Sequence, residues 1–102
     1  MATPADVRKI ALALENVAER PSYGTPAFFV RRKLFARLLE DGDSVVVKID
    51  FDDRQRRVQA NPRAFFVTDH YQKYPMMVVR LSEVDKQELR ELLAAAHQFA
   101  GG

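Results

Sequence analysis

The sequence predicts an α+β fold: a mainly antiparallel β-sheet, a helix at each end of the chain packed on one face of it, and a short helix between two groups of strands. Near both ends, apolar residues recur every three or four positions, which is typical of amphipathic helices. Between them, short segments rich in Val and Phe are separated by polar turns, which is typical of antiparallel strands. Helices grouped on one side of a sheet are the usual arrangement for this order of elements.

The two terminal helices begin at recognisable caps. Thr3 can accept a hydrogen bond from the helix backbone, Pro4 suits the first helical position, and Asp6 lies near the positive end of the helix dipole. The last helix follows Asp85, which stands three residues before Glu88 in a capping-box pattern. The expected apolar stripes are Val7, Ile10, Ala11 and Leu14 in the first helix and Leu89, Leu92, Leu93 and Ala96 in the last.

Five strands are expected between these helices, with a further short edge strand near residues 17–20. Their sequences are AFFVR (27–31), LFARLLE (34–40), SVVVKID (44–50), AFFVT (64–68) and MMVVRLS (76–82). Because side chains alternate along a strand, Arg37 and Lys48 are expected on one face of the sheet. The opposite, core-facing set is then Leu34, Ala36, Leu38, Val45, Val47 and Ile49.

Length and composition restrict the possible functions. A chain of 102 residues, 47% of them apolar, predicts one folded domain over residues 1–102. It contains no cysteine, so disulfides and thiolate metal sites are excluded and a reducing compartment is favoured. The first residues lack the apolar core of a signal peptide, and no apolar run reaches the roughly 20 residues of a membrane span. We therefore expect a cytoplasmic protein without membrane contact.

No recognisable motif carries catalytic or cofactor chemistry. The four glycines do not form a phosphate-binding loop, and no Ser or Cys is paired with a histidine in a known pattern. The acidic residues of the EDGD turn (40–43) lack the ligand spacing of a calcium loop. The sequence therefore predicts a non-catalytic protein that holds no metal and no cofactor.

Cations cluster in the sequence although the net charge is only +2. Arg31, Arg32 and Lys33 form the turn between the first two central strands. Such turns usually contain Gly or Asn, so a longer and looser loop is expected here. The third central strand, residues 44–50, returns to the same end of the sheet and carries Lys48.

The short helix FDDRQRRVQANP (51–62) starts at this end of the sheet. Asp52 and Gln55 have capping-box spacing, and Asn61-Pro62 is expected to end the helix. It adds three cations to the cluster: Arg54, Arg56 and Arg57. Phosphate groups are the expected partners of such a cluster. The alternative is a solvated surface, partly neutralised by Asp50, Asp52 and Asp53.

Most of the chain resembles the MmcQ/YjbR family. The resemblance is carried, in order, by YGTPAFFV (23–30), KLFARL (33–38), VVVKIDF (45–51), TDHYQKYPMMVVRL (68–81) and VDKQELRELLAAA (84–96). It implies a compact α+β fold related in topology to the frataxin-like CyaY group. It also implies non-specific binding of double-stranded DNA through two β-hairpin wings. Arg31, Arg32 and Lys33 would lie on one wing tip, and Lys48 matches the usual lysine of the central strand.

Two features depart from that family pattern. Arg32 stands where the family often has glycine, which raises the charge of the turn. The EDGD turn is acidic, so a second wing there would repel phosphate. Iron binding of the frataxin type would need an acidic ridge on the first helix, where only Asp6 and Glu15 lie nearby.

Two other functions stay open at the level of sequence. The first is protein interaction or self-association through the exposed sheet face, formed by Phe35, Val46, Val78, Arg37, Lys48 and Arg80. The second is small-molecule binding or catalysis at the His70–Tyr74 loop, where Asp69 could orient His70. Tyr71 and Tyr74 are expected to anchor this loop on the sheet, and His97 to be a partly exposed surface residue.

Overall fold

A six-stranded antiparallel sheet forms the centre of the structure, a computed structural model that describes all 102 residues. The strands are β1 (Val17–Ser22), β2 (Thr25–Val30), β3 (Lys33–Leu38), β4 (Ser44–Lys48), β5 (Phe65–Phe66) and β6 (Met76–Arg80). The helices are α1 (Pro4–Leu12), α2 (Phe51–Ala60) and α3 (Lys86–Phe99), with short 3₁₀ turns at Asp69–Tyr71 and Leu81–Glu83. The strand order is β1-β2-β3-β4-β6-β5. This architecture confirms the predicted α+β class.

The caps explain where each helix begins. Thr3 Oγ1 accepts a hydrogen bond from the Asp6 amide at 3.2 Å, and the Asp6 carboxylate accepts one from the Thr3 amide at 2.9 Å. Asp85 accepts a bond from the Glu88 amide at 2.8 Å in the same way. Both predicted capping residues are confirmed, and the reciprocal capping box forms at Thr3 and Asp6, whereas at Asp85 only the bond from the Glu88 amide is present.

The predicted capping residue of α2, Asp52, was wrong by two positions. Its cap is Asp50, which accepts a hydrogen bond from the Asp53 amide at 2.9 Å. Asp50 has extended backbone angles, so the helix starts at the next residue and Asp52 already belongs to its first turn. Asn61 ends the helix, as predicted.

The core lies between one face of the sheet and the two terminal helices. Val7 and Ala11 of α1 and Leu89, Leu92, Leu93 and Ala96 of α3 are all buried there. Ile10 and Leu14, the other members of the α1 stripe, pack at its margin. The opposite side of the sheet, which neither terminal helix covers, is called the open face below. None of the helices combines the length and the apolarity needed to cross a bilayer.

A β-bulge in β3 changes the predicted alternation. Phe28 pairs with Ala36 and Phe29 pairs with Leu34, so Phe35 is an extra residue without a partner in β2. The bulge lets Phe35 and Ala36 both enter the core and leaves Leu34 outside it. The expected place of Phe35 on the exposed sheet face was therefore wrong.

His97 is also more buried than expected. Its ring packs edge-on against Phe35, with 5.5 Å between ring centroids, and its Nε2 lies 2.7 Å from the carbonyl oxygen of Glu15. The buried stripe of α3 is wide enough to include it, because the bulged β3 brings an aromatic ring toward the last turn of the helix. The prediction of a partly exposed surface histidine was wrong.

Candidate functional site

The turn between β2 and β3 is a tight two-residue connection. Val30 pairs with Lys33, so Arg31 and Arg32 alone form the turn. Both have positive φ angles, +50° and +72°, as a type I′ turn requires. The expected longer loop was therefore wrong: strand pairing continues to the last residue on both sides. Side chains other than those of Gly, Asn and Asp are uncommon in this conformation.

Lys48 joins this turn in one patch of cations. It ends β4 at the same end of the sheet, and together with Lys33 it lines an open hollow beside the end of α3. Arg31, Arg32 and Lys33 are exposed and Lys48 is half-buried. None of the four forms an ion pair with a carboxylate. We call these four residues the basic end.

The guanidinium of Arg54 binds backbone carbonyls and does not join the basic end. Its Nη1 lies 2.9 Å from the carbonyl oxygen of Tyr74, and its Nη2 lies 3.2 Å from that of Gln72. Further contacts join Nη1 to the carbonyl oxygens of Tyr71 and Met76, at 3.3 and 3.2 Å. The guanidinium thus binds the segment between the 3₁₀ turn at Asp69–Tyr71 and β6 and holds it against α2.

The other two arginines of α2 lie beside carboxylates. Arg56 is ion-paired with Asp53, one turn earlier in the helix. Arg57 stands 5.8 Å above the Phe65 ring and shares a small hollow with Asp50 and Asp53. Seven cations were predicted to contact phosphate. The structure groups four of them at the basic end, where none forms an ion pair. The three from α2 are engaged in other interactions.

The acidic turn lies at the opposite end of the sheet. Asp41 accepts hydrogen bonds from the Ser44 hydroxyl at 2.7 Å and from the Asp43 amide at 2.9 Å. These bonds stabilise the charged carboxylate and lower the pKa of Asp41 below its ordinary value. Asp43 in turn accepts bonds from the amide and hydroxyl of Ser82, at 2.9 and 2.7 Å. The turn is thus a tightly bonded structural corner.

Two arginines lie on aromatic rings across the open face. The Arg20 guanidinium lies 4.3 Å from the centre of the Phe29 ring, and that of Arg80 lies 4.8 Å from the centre of the Phe66 ring. Neither arginine has a carboxylate partner. The open face therefore carries cations outside the basic end, and one of them, Arg80, pairs with Ser44 beside the acidic turn.

Arg37 lies between these two stacks and is largely buried. It donates to the Ser22 carbonyl and to the Glu40 carboxylate, both at 3.0 Å. Beside it along one row of cross-strand pairs, Val46 and Val78 are buried although no helix covers them. Since these valines are buried and arginines lie on the rings of Phe29 and Phe66, little bare apolar area remains on the open face.

Comparison with known proteins identifies the family. The family model YjbR matches residues 12–99. The chain belongs to the YjbR family. Among solved structures, the YjbR chain is similar to the crystal structure of the Deinococcus radiodurans protein DR2400, described with a DUF419 domain. The TM-score is 0.83 at 23% identity, over 97% of this chain and 78% of that one. At this identity the likeness shows the fold alone. The search of curated proteins gives no match.

The His70–Tyr74 loop of this YjbR chain holds no recognisable catalytic arrangement. His70 packs edge-on against Tyr71, with 4.7 Å between ring centroids, and is exposed. Tyr74 is exposed as well, so its expected role as an anchor packed on the sheet was wrong. The loop is fixed by its backbone carbonyls, which Arg54 binds, rather than by its aromatic rings. No three carboxylate or histidine side chains meet in a metal-binding group anywhere in the structure.

Sequence reasoning missed two kinds of residue. Arg20 was not predicted to lie on the open face, because its strand was expected only as a short edge strand whose orientation the sequence did not indicate. The exposed rings of Phe51, Tyr74 and Phe99 were missed as a set, because they come from a helix start, a loop and a helix end. Only the fold brings two of them near the basic end: Phe99 lines the hollow of Lys33 and Lys48, and Tyr74 is two residues from its Met76 wall.

Proposed function

We propose that the protein is a non-catalytic DNA-binding protein that contacts the phosphates of double-stranded DNA, without reading bases, through the basic end. The observation that carries the proposal is the grouping of Arg31, Arg32, Lys33 and Lys48 without any carboxylate partner. Three of these cations protrude side by side from a rigid hairpin turn. A duplex presents phosphates in a regular row, and such a turn can contact that row without a fixed base sequence.

The backbone of the turn supports this proposal. Arg31 and Arg32 occupy left-handed positions that Asn and Gly fill with less strain. Each such residue raises the energy of the folded state by roughly 1–2 kcal/mol. Stability alone would favour another sequence here, and strained positions often coincide with functional ones.

The open face favours an anionic partner over an apolar one. Val46 and Val78 are buried there, and two of its aromatic rings lie under guanidinium groups, so little apolar area is available to drive protein association. Arg20 and Arg80 add two positive charges to this face. The resemblance to the MmcQ/YjbR family, for which winged DNA binding is expected, agrees with this interpretation.

The strength of binding follows from the number of cations. Four phosphate contacts give a slope of log K against log salt concentration of roughly −3.6, at about 0.9 per phosphate. Non-specific affinity of this kind lies at about 10⁻⁴–10⁻⁶ M at physiological salt. Arg56 and Arg57 add only to the long-range field, because Asp50 and Asp53 lie beside them.

The test replaces the turn by its preferred sequence, Arg31→Asn with Arg32→Gly. We expect the variant to be more stable, because the strain is relieved, and yet to bind a labelled duplex more weakly. Fluorescence anisotropy over a range of salt concentrations should show the slope reduced in magnitude by about 1.8, since two phosphate contacts are lost. A gain in stability with a loss of binding excludes unfolding as the cause.

The matched control removes two exposed cations from the helical side, Lys9→Ser with Arg90→Ser. Neither residue forms an ion pair, and the net charge falls by the same amount as in the turn variant. The control should keep the wild-type slope. If both variants lower the slope equally, only net charge matters and the basic end is not the interface. If the wild type shows no duplex binding at low salt, the proposed function is wrong.

A further inference from the structure

An open hollow lies at the basic end between the sheet and the last turn of α3. It is lined by Lys33, Leu34, Lys48, Met76, Phe99 and Ala100, and its volume is about 460 Å³. This is within the size range of small-ligand sites. Four of the six lining residues are apolar, both charged ones are lysines, and no carboxylate is among them.

Phe99 presents its ring at the hollow. It is 47% exposed although it is large and apolar, and it is the last residue of α3. Other residues of the α3 stripe point into the core, so Phe99 is not required there. A partner with a flat apolar face would cover this exposed ring, which shares the hollow with two lysines.

The two lysines line the hollow together with that ring. The Lys33 side chain runs along Gly101, where a Cβ would lie 3.8 Å from both its Cδ and its Nζ. Lys48 ends β4, two strand positions from the buried Val46, and its neighbour in β6 is Met76. Lys48 and Phe99 also line a smaller neighbouring hollow, together with Asp50, Asp53 and Arg57. The charged residues that line the larger hollow itself are both lysines.

We infer that this hollow binds one unpaired base of a nucleic-acid strand, stacked on Phe99, with the flanking phosphates on Lys33 and Lys48. The inference rests on the proposed function and adds the class of substrate: single-stranded or locally unpaired nucleic acid. In a duplex the faces of the bases are stacked on one another and cannot reach Phe99. Aromatic rings beside cations are how single-strand-binding proteins hold successive bases.

The other exposed rings support a path for the strand. Tyr74 lies beyond Met76, and Phe51 begins α2 on the far side of Arg54. Both are exposed: Arg54 binds the carbonyl of Tyr74, and its guanidinium lies 4.7 Å from the centre of the Phe51 ring. A strand leaving the hollow along Met76 would reach Tyr74 next.

The experiment compares Phe99→Ala with Leu12→Ala. Leu12 is a matched control: it is the last residue of α1, is 43% exposed, and does not line the hollow. The probes are a labelled oligothymidine of about 16 nucleotides, an upper site size for single-strand-binding modules, and a duplex of the same length. Binding is measured by fluorescence anisotropy at one low salt concentration.

Phe99→Ala should weaken binding of the single strand by roughly 5- to 100-fold, the loss expected for one stacked base. Binding of the duplex should be unchanged within error, and Leu12→Ala should change neither. Ultraviolet crosslinking of the oligothymidine to the wild type, followed by peptide mass spectrometry, should place the crosslink on the peptide that contains Phe99.

Other results would overturn the inference. Equal loss for both probes, or no loss with Phe99→Ala, would mean that no base enters the hollow, while the duplex proposal would stand. If the wild type binds the single strand but not the duplex, and Phe99→Ala loses single-strand binding, the inference stands and the double-stranded proposal is wrong. A wild type that sediments as a dimer, with Phe99→Ala a monomer that binds the single strand normally, would make the hollow an interface between copies.

Discussion

Removal of Arg54 is the sharpest test of how the structure uses its cations. The sequence predicts that Arg54 contacts phosphate, whereas the structure shows its guanidinium bonded to backbone carbonyls of the loop that precedes β6. Arg54→Ala would remove all four contacts, although the carbonyls of Tyr71 and Tyr74 would each keep one backbone amide donor. We therefore expect a loss of stability with little change in nucleic-acid binding.

The magnitude follows from the geometry. Nη1 approaches three carbonyl oxygens, at 2.9, 3.2 and 3.3 Å, but it carries two hydrogens, so two full bonds at a time are its limit. Nη2 adds one at 3.2 Å. About three bonds at a net 1 kcal/mol each, reduced by the partial exposure of the site, amount to about 2–3 kcal/mol. For a domain of this size that lowers Tm by roughly 8–24 °C.

Thermal unfolding followed by circular dichroism measures this change. Arg56→Ala is the control, because Arg56 lies in the same helix and forms only a surface ion pair, worth at most about 1 kcal/mol. Arg54→Lys should recover less than half of the loss, since an ammonium group lacks the planar fork that reaches both Tyr74 and Gln72. If Arg54→Ala is as stable as Arg56→Ala, the contacts with the loop carbonyls do not stabilise the fold. If it instead reduces the salt slope of duplex binding by about 0.9, Arg54 contacts phosphate after all.

Two further predictions concern the core and the acidic turn. Leu92→Ala should lower the free energy of unfolding by about 2–5 kcal/mol, because Leu92 is buried between α3 and the sheet; a Tm within a degree or two of wild type in a thermal melt would mean that α3 is peripheral. At Asp41 the Ser44 hydroxyl lowers the folded-state pKa below 3.8, so the stability this carboxylate contributes is present above that pH and is lost as the pH falls through the lower folded value. Ser44→Ala should raise the pKa of Asp41 toward 3.8 in an NMR titration and flatten the acid limb of stability, and an unchanged titration would show that the hydroxyl has no such effect.

The sequence by itself determined the class of fold and most of its elements. Caps at Thr3 and Asp85 and the apolar stripes of the terminal helices are local patterns, set by hydrogen bonds and spacing over a few residues. The cluster at Arg31, Arg32 and Lys33 was visible for the same reason: the three residues are adjacent in the chain. Its exposure followed from its place between two apolar strands.

Only the tertiary structure decided which other residues act together. The β-bulge that buries Phe35 depends on how β2 and β3 pair, and nothing local marks it. The contacts of Arg54 depend on a loop about twenty residues away in sequence. Arg54 reaches the carbonyls of this loop because α2 lies beside β6. The hollow at Phe99 joins residues from β3, β4, β6 and α3, which are far apart in the chain. Strand alternation and helix capping are local and predict the secondary structure and the face on which a side chain lies. The partners of that side chain depend on which distant segments pack against it, because packing and ion pairing act through space rather than along the chain.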